Sequence, residues 1–366
     1  MKQKTLFIGI MLLQTAILNL GAQVRHEIKI PDIKGYHTLK CDFHMHTVFS
    51  DGLVWPTVRV DEAYREGLDA ISLTEHLEYR PHKKDIVANH GRSYEIAENA
   101  AKDNGIILIR GSEITRSMAP GHFNAIFLTN NDSLDKKDWR ESFKAAKAQN
   151  AFIFWNHPGW DAQQPDTTKW WPEHTELYNA GCMNGIEVAN GKEYYPEALR
   201  WALEKKLTML GNSDIHQPIQ TDIDFSRGMH RTMTLVFAKE RTKESIHEAL
   251  LNRRTAVYMD DNIIGEEQYL KALFENAVEI VKIEKSLQGV DIMLRNNSDL
   301  MFQLKKTTHN PNIVYFRDYT IEPNSKCSIS VKFEGGVHSG IVNFEITNFI
   351  VSPGKGLNYT YKVSNL

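Results

Sequence analysis

At 366 residues the chain is long enough for one large domain and a smaller one, and its 42% hydrophobic content suffices for a sizeable core. A formal net charge of −3 without any block of like charge argues against a nucleic-acid-binding protein held by a broad basic patch, while leaving small phosphorylated substrates open. Cys41, Cys182 and Cys327 are odd in number and scattered, which argues against a disulfide framework.

The chain opens with Lys2 and Lys4, then a broken apolar run from Leu6 to Leu20, then Leu20-Gly21-Ala22. This order of charge, apolar stretch and small residues predicts a signal peptide over 1–22 with Gln23 as the mature start. The expected location is therefore periplasmic or secreted, with no membrane span once the signal is removed.

Short apolar runs follow at 39–44, 70–73, 106–109, 123–128, 152–155, 185–188, 208–210 and 233–237. Helical spacing separates them at 58–66, 93–102, 139–148, 196–205 and 244–252, the first bracketed by Pro56 and Gly67. Strand and helix alternating this often predict parallel strands joined by crossovers, buried on both faces. After a helix near 266–277 the pattern changes to strict alternation, as in Cys327-Ser-Ile329-Ser-Val331-Lys-Phe333, in 342–346 and in 357–363. Period two marks half-buried antiparallel strands, so 279–366 reads as a small β-sandwich appended to a domain over 23–278.

Residues with metal-ligand chemistry recur at the ends of the predicted strands. His44-Met45-His46 closes the first run, where period two sends both imidazoles to one side, and Asp51 follows in the loop. Later runs end in Thr74-Glu75-His76, Gly111-Ser112-Glu113, Asn156-His157-Pro158 and Asn212-Ser213-Asp214-Ile215-His216. C-terminal strand ends are where parallel α/β barrels keep their active sites. His122 precedes its strand and would have to arrive from an antiparallel or irregular one. A mixed nitrogen and carboxylate set without thiolate suits Zn, Mn or Fe.

In these motifs and their order, the stretch from about 40 to 258 resembles the polymerase and histidinol phosphatase (PHP) family of metal-dependent phosphoesterases. The resemblance implies a distorted (β/α)7 barrel holding two or three divalent ions. It implies that His44, His46, Glu113 and Asp214 hold one ion, and that Glu113 bridges to a second held by His122 and His157. Asp51, His76 and His216 would hold a third. The family's Asp before the His of the second motif is Glu75 here; the change is tolerable if the residue orients His76, and it weakens the third site if the residue touches metal. The implied reaction is phosphoester hydrolysis by a metal-bridging hydroxide, with Glu113, Asp214 and His216 as catalytic candidates.

Phosphate contacts are expected from loops at the same face: Arg80, His82, Arg116, Arg227, His230 and Arg231. Trp155, Trp160, Trp170 and Trp171 crowd the His157 segment. Trp155 reads as core, and the others as candidates for an aromatic wall. A phosphodiesterase is the leading expectation, since a cation-poor, acidic chain suits the single charge of a diester. A phosphomonoesterase, a metallo-amidohydrolase and a secreted metal-containing binding protein are the alternatives.

Overall fold

The computed structural model describes residues 24–364, so the predicted signal peptide lies outside the described residues. Strands β1 (His37–Asp42), β2 (Ala70–Leu73) and β3 (Ile107–Ile114) lie parallel, joined by helices α1 (Pro56–Arg65) and α2 (Arg92–Asp103). Gly67 closes α1 at φ +76°, and a Cβ there would meet the His26 carbonyl at 2.2 Å, so only glycine fits this turn. Next, β4 (Phe123–Ile126) runs antiparallel to β3 and to β5 (Phe152–Trp155), with α3 (Trp139–Ala148) between β4 and β5. After α4 (Pro172–Asn179), β6 (Gly185–Asn190) pairs parallel with β5, and β7 (Glu193–Tyr194) folds back on it. Helix α5 (Pro196–Lys205) leads to β8 (Thr208–Asn212), parallel to β6.

A short turn of helix, α6 (Ile219–Asp222), precedes β9 (Met233–Ala238), which returns antiparallel to β1. Helix α7 (Lys243–Leu251) leads to β10 (Thr255–Met259), and β11 (Asn262–Gly265) pairs with it. Threonines seal the wall where β8 meets β9 and β10. Thr234 Oγ1 donates to the Gly211 carbonyl at 2.8 Å, and Thr255 Oγ1 to that of Met209 at 2.7 Å. The result is the expected α/β barrel, distorted by the antiparallel β4 and β9, where crossovers alone had predicted parallel strands.

Helix α8 (Glu267–Ala277) connects to β12 (Val278–Ser286), β13 (Gly289–Asn296), β14 (Phe302–Lys306), β15 (Ile313–Val314), β16 (Asp318–Ile321), β17 (Lys326–Phe333), β18 (Ser339–Ser352) and β19 (Lys355–Ser364). One layer of the C-terminal unit is β12-β13-β17-β15, and the other carries β16, β14, β18 and β19. Alternation holds as read: Ile329, Val331, Val342, Phe344, Ile346, Leu357 and Val363 are buried, with polar residues between them. The second layer is not a separate sheet. β18 pairs parallel with β11 at Phe349 and Ile350, so it continues the barrel wall. Phe274, Phe302 and Phe349 pack in the joint core across this junction.

Candidate metal centre

All nine ligand-type residues singled out from the sequence converge at one end of the barrel. β1 ends at Asp42, yet His44 and His46 still point the same way, because buried Met45 between them bridges to Ile215. Their ring centroids are 5.2 Å apart. His122 arrives from the start of β4, whose reversed direction brings an N-terminal strand end to this face. Gly52 lets the Asp51 loop fold back, since a Cβ would meet the His46 carbonyl carbon at 2.5 Å.

Glu113, fully buried near the end of β3, is the centre of the cluster. Its Oε2 lies 3.0 Å from His76 Nδ1, 3.2 Å from His46 Nε2 and 3.3 Å from His44 Nε2. Its Oε1 lies 2.7 Å from His122 Nδ1 and 3.9 Å from His157 Nε2. Asp214 Oδ1 is 3.1 Å from His44 Nε2 and 3.2 Å from His46 Nε2. Asp51 Oδ1 is 3.2 Å from His216 Nε2 and 3.4 Å from His76 Nε2. Asp214 adopts φ +52° and His157 φ +30°, a cost of roughly 1 kcal/mol or more each that the surrounding bonds must hold.

These residues fit divalent cations. Buried His46 Nε2, Asp51 Oδ1, Glu113 Oε1, His122 Nδ1 and Asp214 Oδ1 have no hydrogen-bond partner among the described residues. Buried polar atoms without partners are costly unless a ligand satisfies them. Two ligands about 2.1 Å from one ion stand at most about 4.2 Å apart, and the contacts above all fall inside that limit. In four groupings one ligand atom from each residue lies within 4.8 Å of the others: His46, Asp51, His76 and His216; His44, His157 and Asp214; His44, His46 and Glu113; and His76, Glu113 and His122. Glu113 belongs to two of them, the place a bridging carboxylate takes. His157 Nε2 stands 3.9 Å from both Glu113 and Asp214, between two of the groups.

Electrostatics follow from burial against close countercharge. For His76, burial disfavours the imidazolium, but Glu113 and Asp51 outweigh it and raise its pKa to about 10. For His157 burial wins over Asp214, and its pKa falls to about 4. Glu113 and Asp214 are held well below the carboxylate range. Burial works the other way, but His76, His122 and His44 surround the first, and His44, His46 and His216 the second.

Hydrogen bonds orient four of the six cluster imidazoles, those of His44, His46, His76 and His216. His44 Nδ1 donates to Glu187 Oε1 at 2.9 Å, leaving Nε2 as the ligand atom. His216 Nδ1 donates to the Asp214 carbonyl at 2.7 Å. Glu75 corrects the expectation that it orients His76. Its carboxylate accepts from Thr47 Oγ1 and Ser50 Oγ, both at 2.5 Å, and Ser50 Oγ lies 3.3 Å from His46 Nδ1. It therefore orients His46, whereas His76 Nδ1 meets Thr115 Oγ1 at 2.7 Å.

Glu187 escaped the sequence reading. A carboxylate inside the apolar run of β6 was the available signal, because a strand buried on both faces has no solvent for it. Fully buried, it also accepts from Asn212 Nδ2 at 2.9 Å, the His157 backbone N–H at 2.7 Å and Asn190 Nδ2 at 2.8 Å. Glu187→Gln should weaken divalent-metal binding by roughly 10- to 100-fold, the usual effect of losing a carboxylate behind a ligating imidazole. Titration of the metal-free protein with Mn or Zn measures this. An unchanged Kd would show that other contacts hold His44.

A cleft of about 860 Å³ opens above the cluster. The expected phosphate contacts divide sharply around it. Arg116 and His230 line it, but Arg116 is paired with Glu78 at 2.7 Å, and the His230 ring nitrogens each stand 2.8 Å from a carbonyl, of Arg231 or Asp260. Arg231 also borders the cleft, but its guanidinium is buried against Asp42 at 2.9 Å and Glu66 at 2.5 Å. Arg80, which bonds the carbonyls of Phe49 and Ala88, lies outside the lining, as do His82 and Arg227. Of the tryptophans, Trp160 lines the cleft. Trp155 and Trp170 pack with Trp201, and Trp171 heads α4 with its indole bonded to Gln164.

Comparison with known proteins gives the family. A two-domain protein from Bacteroides vulgatus ATCC 8482, described as containing a predicted PHP-like metal-dependent phosphoesterase, superposes with a TM-score of 0.92. It shares 62% identity, and the match covers 94% of this chain and 100% of that one. This chain belongs to that family of PHP-like metal-dependent phosphoesterases. Residues 276–362 match the domain family DUF5001, an Ig-like domain. A 5'-3' exoribonuclease from Haemophilus influenzae (strain ATCC 51907 / DSM 11121 / KW20 / Rd) is 38% identical over 78 residues, 21% of this chain. The match spans only 24% of the length of that curated relative.

Proposed function

We propose that the protein is an exported phosphodiesterase that hydrolyses small phosphodiesters with two or three bound Mn, Zn or Fe ions. Export rests on the signal-like residues 1–22. Such ions would supply an activated water and neutralise charge on the phosphoryl oxygens. Glu113, His44 and His46 would hold them beneath the cleft, and Asp51, His76 and His216 at its side. Asp214 lines the cleft, and it would take the proton of the attacking water. The water oxygen would bond to phosphorus as the ester P–O bond breaks, and the departing oxygen would take up the proton given to Asp214.

The supply of cations carries the diester reading. With Arg116 and Arg231 matched by carboxylates, Lys192 is the one Lys or Arg lining the cleft without a carboxylate partner among the described residues. A monoester carries nearly two negative charges at neutral pH and a diester one, so the cleft favours the diester. The test compares kcat/KM for an aryl phosphodiester and the matching aryl monophosphate after loading with Mn or Zn. The diester should lead. A monoester ahead by about tenfold, or about 1.4 kcal/mol in transition-state binding, would overturn the preference.

A further inference from the structure

Two aromatic rings stand exposed in the cleft on either side of the cluster. Tyr79, 54% exposed, meets the His76 ring at 6.0 Å. Trp160, 41% exposed, lies 5.6 Å from the His122 ring and 5.1 Å from that of His157. His76 and His122 are in ring contact at 5.8 Å, and both reach Glu113. Ring contacts thus run from Tyr79 through His76 and His122 to Trp160, and the two middle rings both reach Glu113. Neither the Tyr79 hydroxyl nor the Trp160 indole N–H has a hydrogen bond among the described residues. A single exposed aromatic needs no explanation. Two lining one cleft beside a ligand cluster offer flat apolar surface where a substrate would lie.

We infer that the substrate is a small phosphodiester with a planar ring on each arm, its phosphate above Glu113 and its rings against Tyr79 and Trp160. This rests on the phosphoesterase reading. Because the cluster lies between the two aromatics, a molecule with one arm would leave one of them uncovered. The volume of about 860 Å³ suits a molecule of that size. Glu78, Glu193, Asp222 and Asp260 also line the cleft and would repel a long polyanion.

The experiment uses the full chain loaded with Mn and two monoanionic substrates, bis(p-nitrophenyl) phosphate and methyl p-nitrophenyl phosphate. They share a leaving group and differ by one ring. After correction for uncatalysed rates and for the two equivalent leaving groups, the bis ester should lead in kcat/KM by about tenfold, the effect expected of one aromatic stack. In the double variant Tyr79→Ala/Trp160→Ala the corrected ratio should fall to near one. Because Trp160 touches two cluster histidines, metal content is measured for each variant, and Tyr79→Leu/Trp160→Leu is run alongside to preserve bulk. A corrected ratio near one in the wild type, or a wild-type ratio persisting in metal-loaded double variants, would overturn the two-ring substrate. Hydrolysis of neither ester by the metal-loaded wild type would instead sink the phosphodiesterase reading itself.

Discussion

Replacing Glu113 by Ala is expected to strip metal from the protein and reduce kcat/KM by at least about a thousandfold. A single preorganised electrostatic group in an active site contributes about 10²–10³ in rate, and Glu113 serves two of the ligand groupings at once. The fold should survive. The backbone of Glu113 is held independently of its side chain, by pairing with Asn124 in β4, donation to the Glu75 carbonyl at 3.0 Å and acceptance from the Leu77 N–H at 2.9 Å. Glu113→Gln keeps the volume and removes the charge, so it should fail as badly as Ala if the carboxylate is the ligand. Metal analysis, steady-state kinetics and a circular-dichroism melt on the same preparations separate the effects. A loss of only a few-fold, with metal retained, would remove Glu113 from the centre of the mechanism.

The largest effect on stability is expected at Arg231. Its guanidinium is fully buried and joins two carboxylates, Asp42 at the end of β1 and Glu66 at the end of α1. Asp42 in turn accepts from the Ser213 hydroxyl at 2.5 Å and from the His44 N–H at 3.2 Å, which fixes the turns that carry Asp214 and His44. Arg231→Ala leaves two buried carboxylates without their countercharge, a change that costs about 3–5 kcal/mol. Chemical denaturation of the metal-free protein reads this directly, without the stabilisation that bound ions would add. Arg231→Met combined with Glu66→Gln should recover part of the loss, because one of the stranded charges is gone. If Arg231→Ala alone cost less than about 1 kcal/mol, water must reach the carboxylates and the cluster is not dry.

Both residues illustrate where reading the sequence stops. The chain by itself determined the α/β alternation, since continuous apolar runs separated by helical spacing have few other ways to bury their faces. Helix 196–205 coincides with α5, and Pro56 and Gly67 bracket α1, because proline and glycine act locally. The strictly alternating strands near the C-terminus were legible for the same reason. β12 was not, because most of its residues are exposed and leave no burial pattern to read. The nine ligand-type residues could be singled out because buried imidazoles and carboxylates need partners wherever they fall.

Only the tertiary structure decided which charges meet. Arg231 and Arg116 look alike in sequence as phosphate contacts, yet one is buried between Asp42 and Glu66 and the other leans on Glu78 at the cleft. The direction of β4, the role of Glu75 and the four hydrogen bonds of Glu187 depend on neighbours remote in the chain. Local propensity acts over a few residues and leaves its mark on the sequence. Coulomb and hydrogen-bond partners are chosen by distance in space, which the folded chain alone fixes.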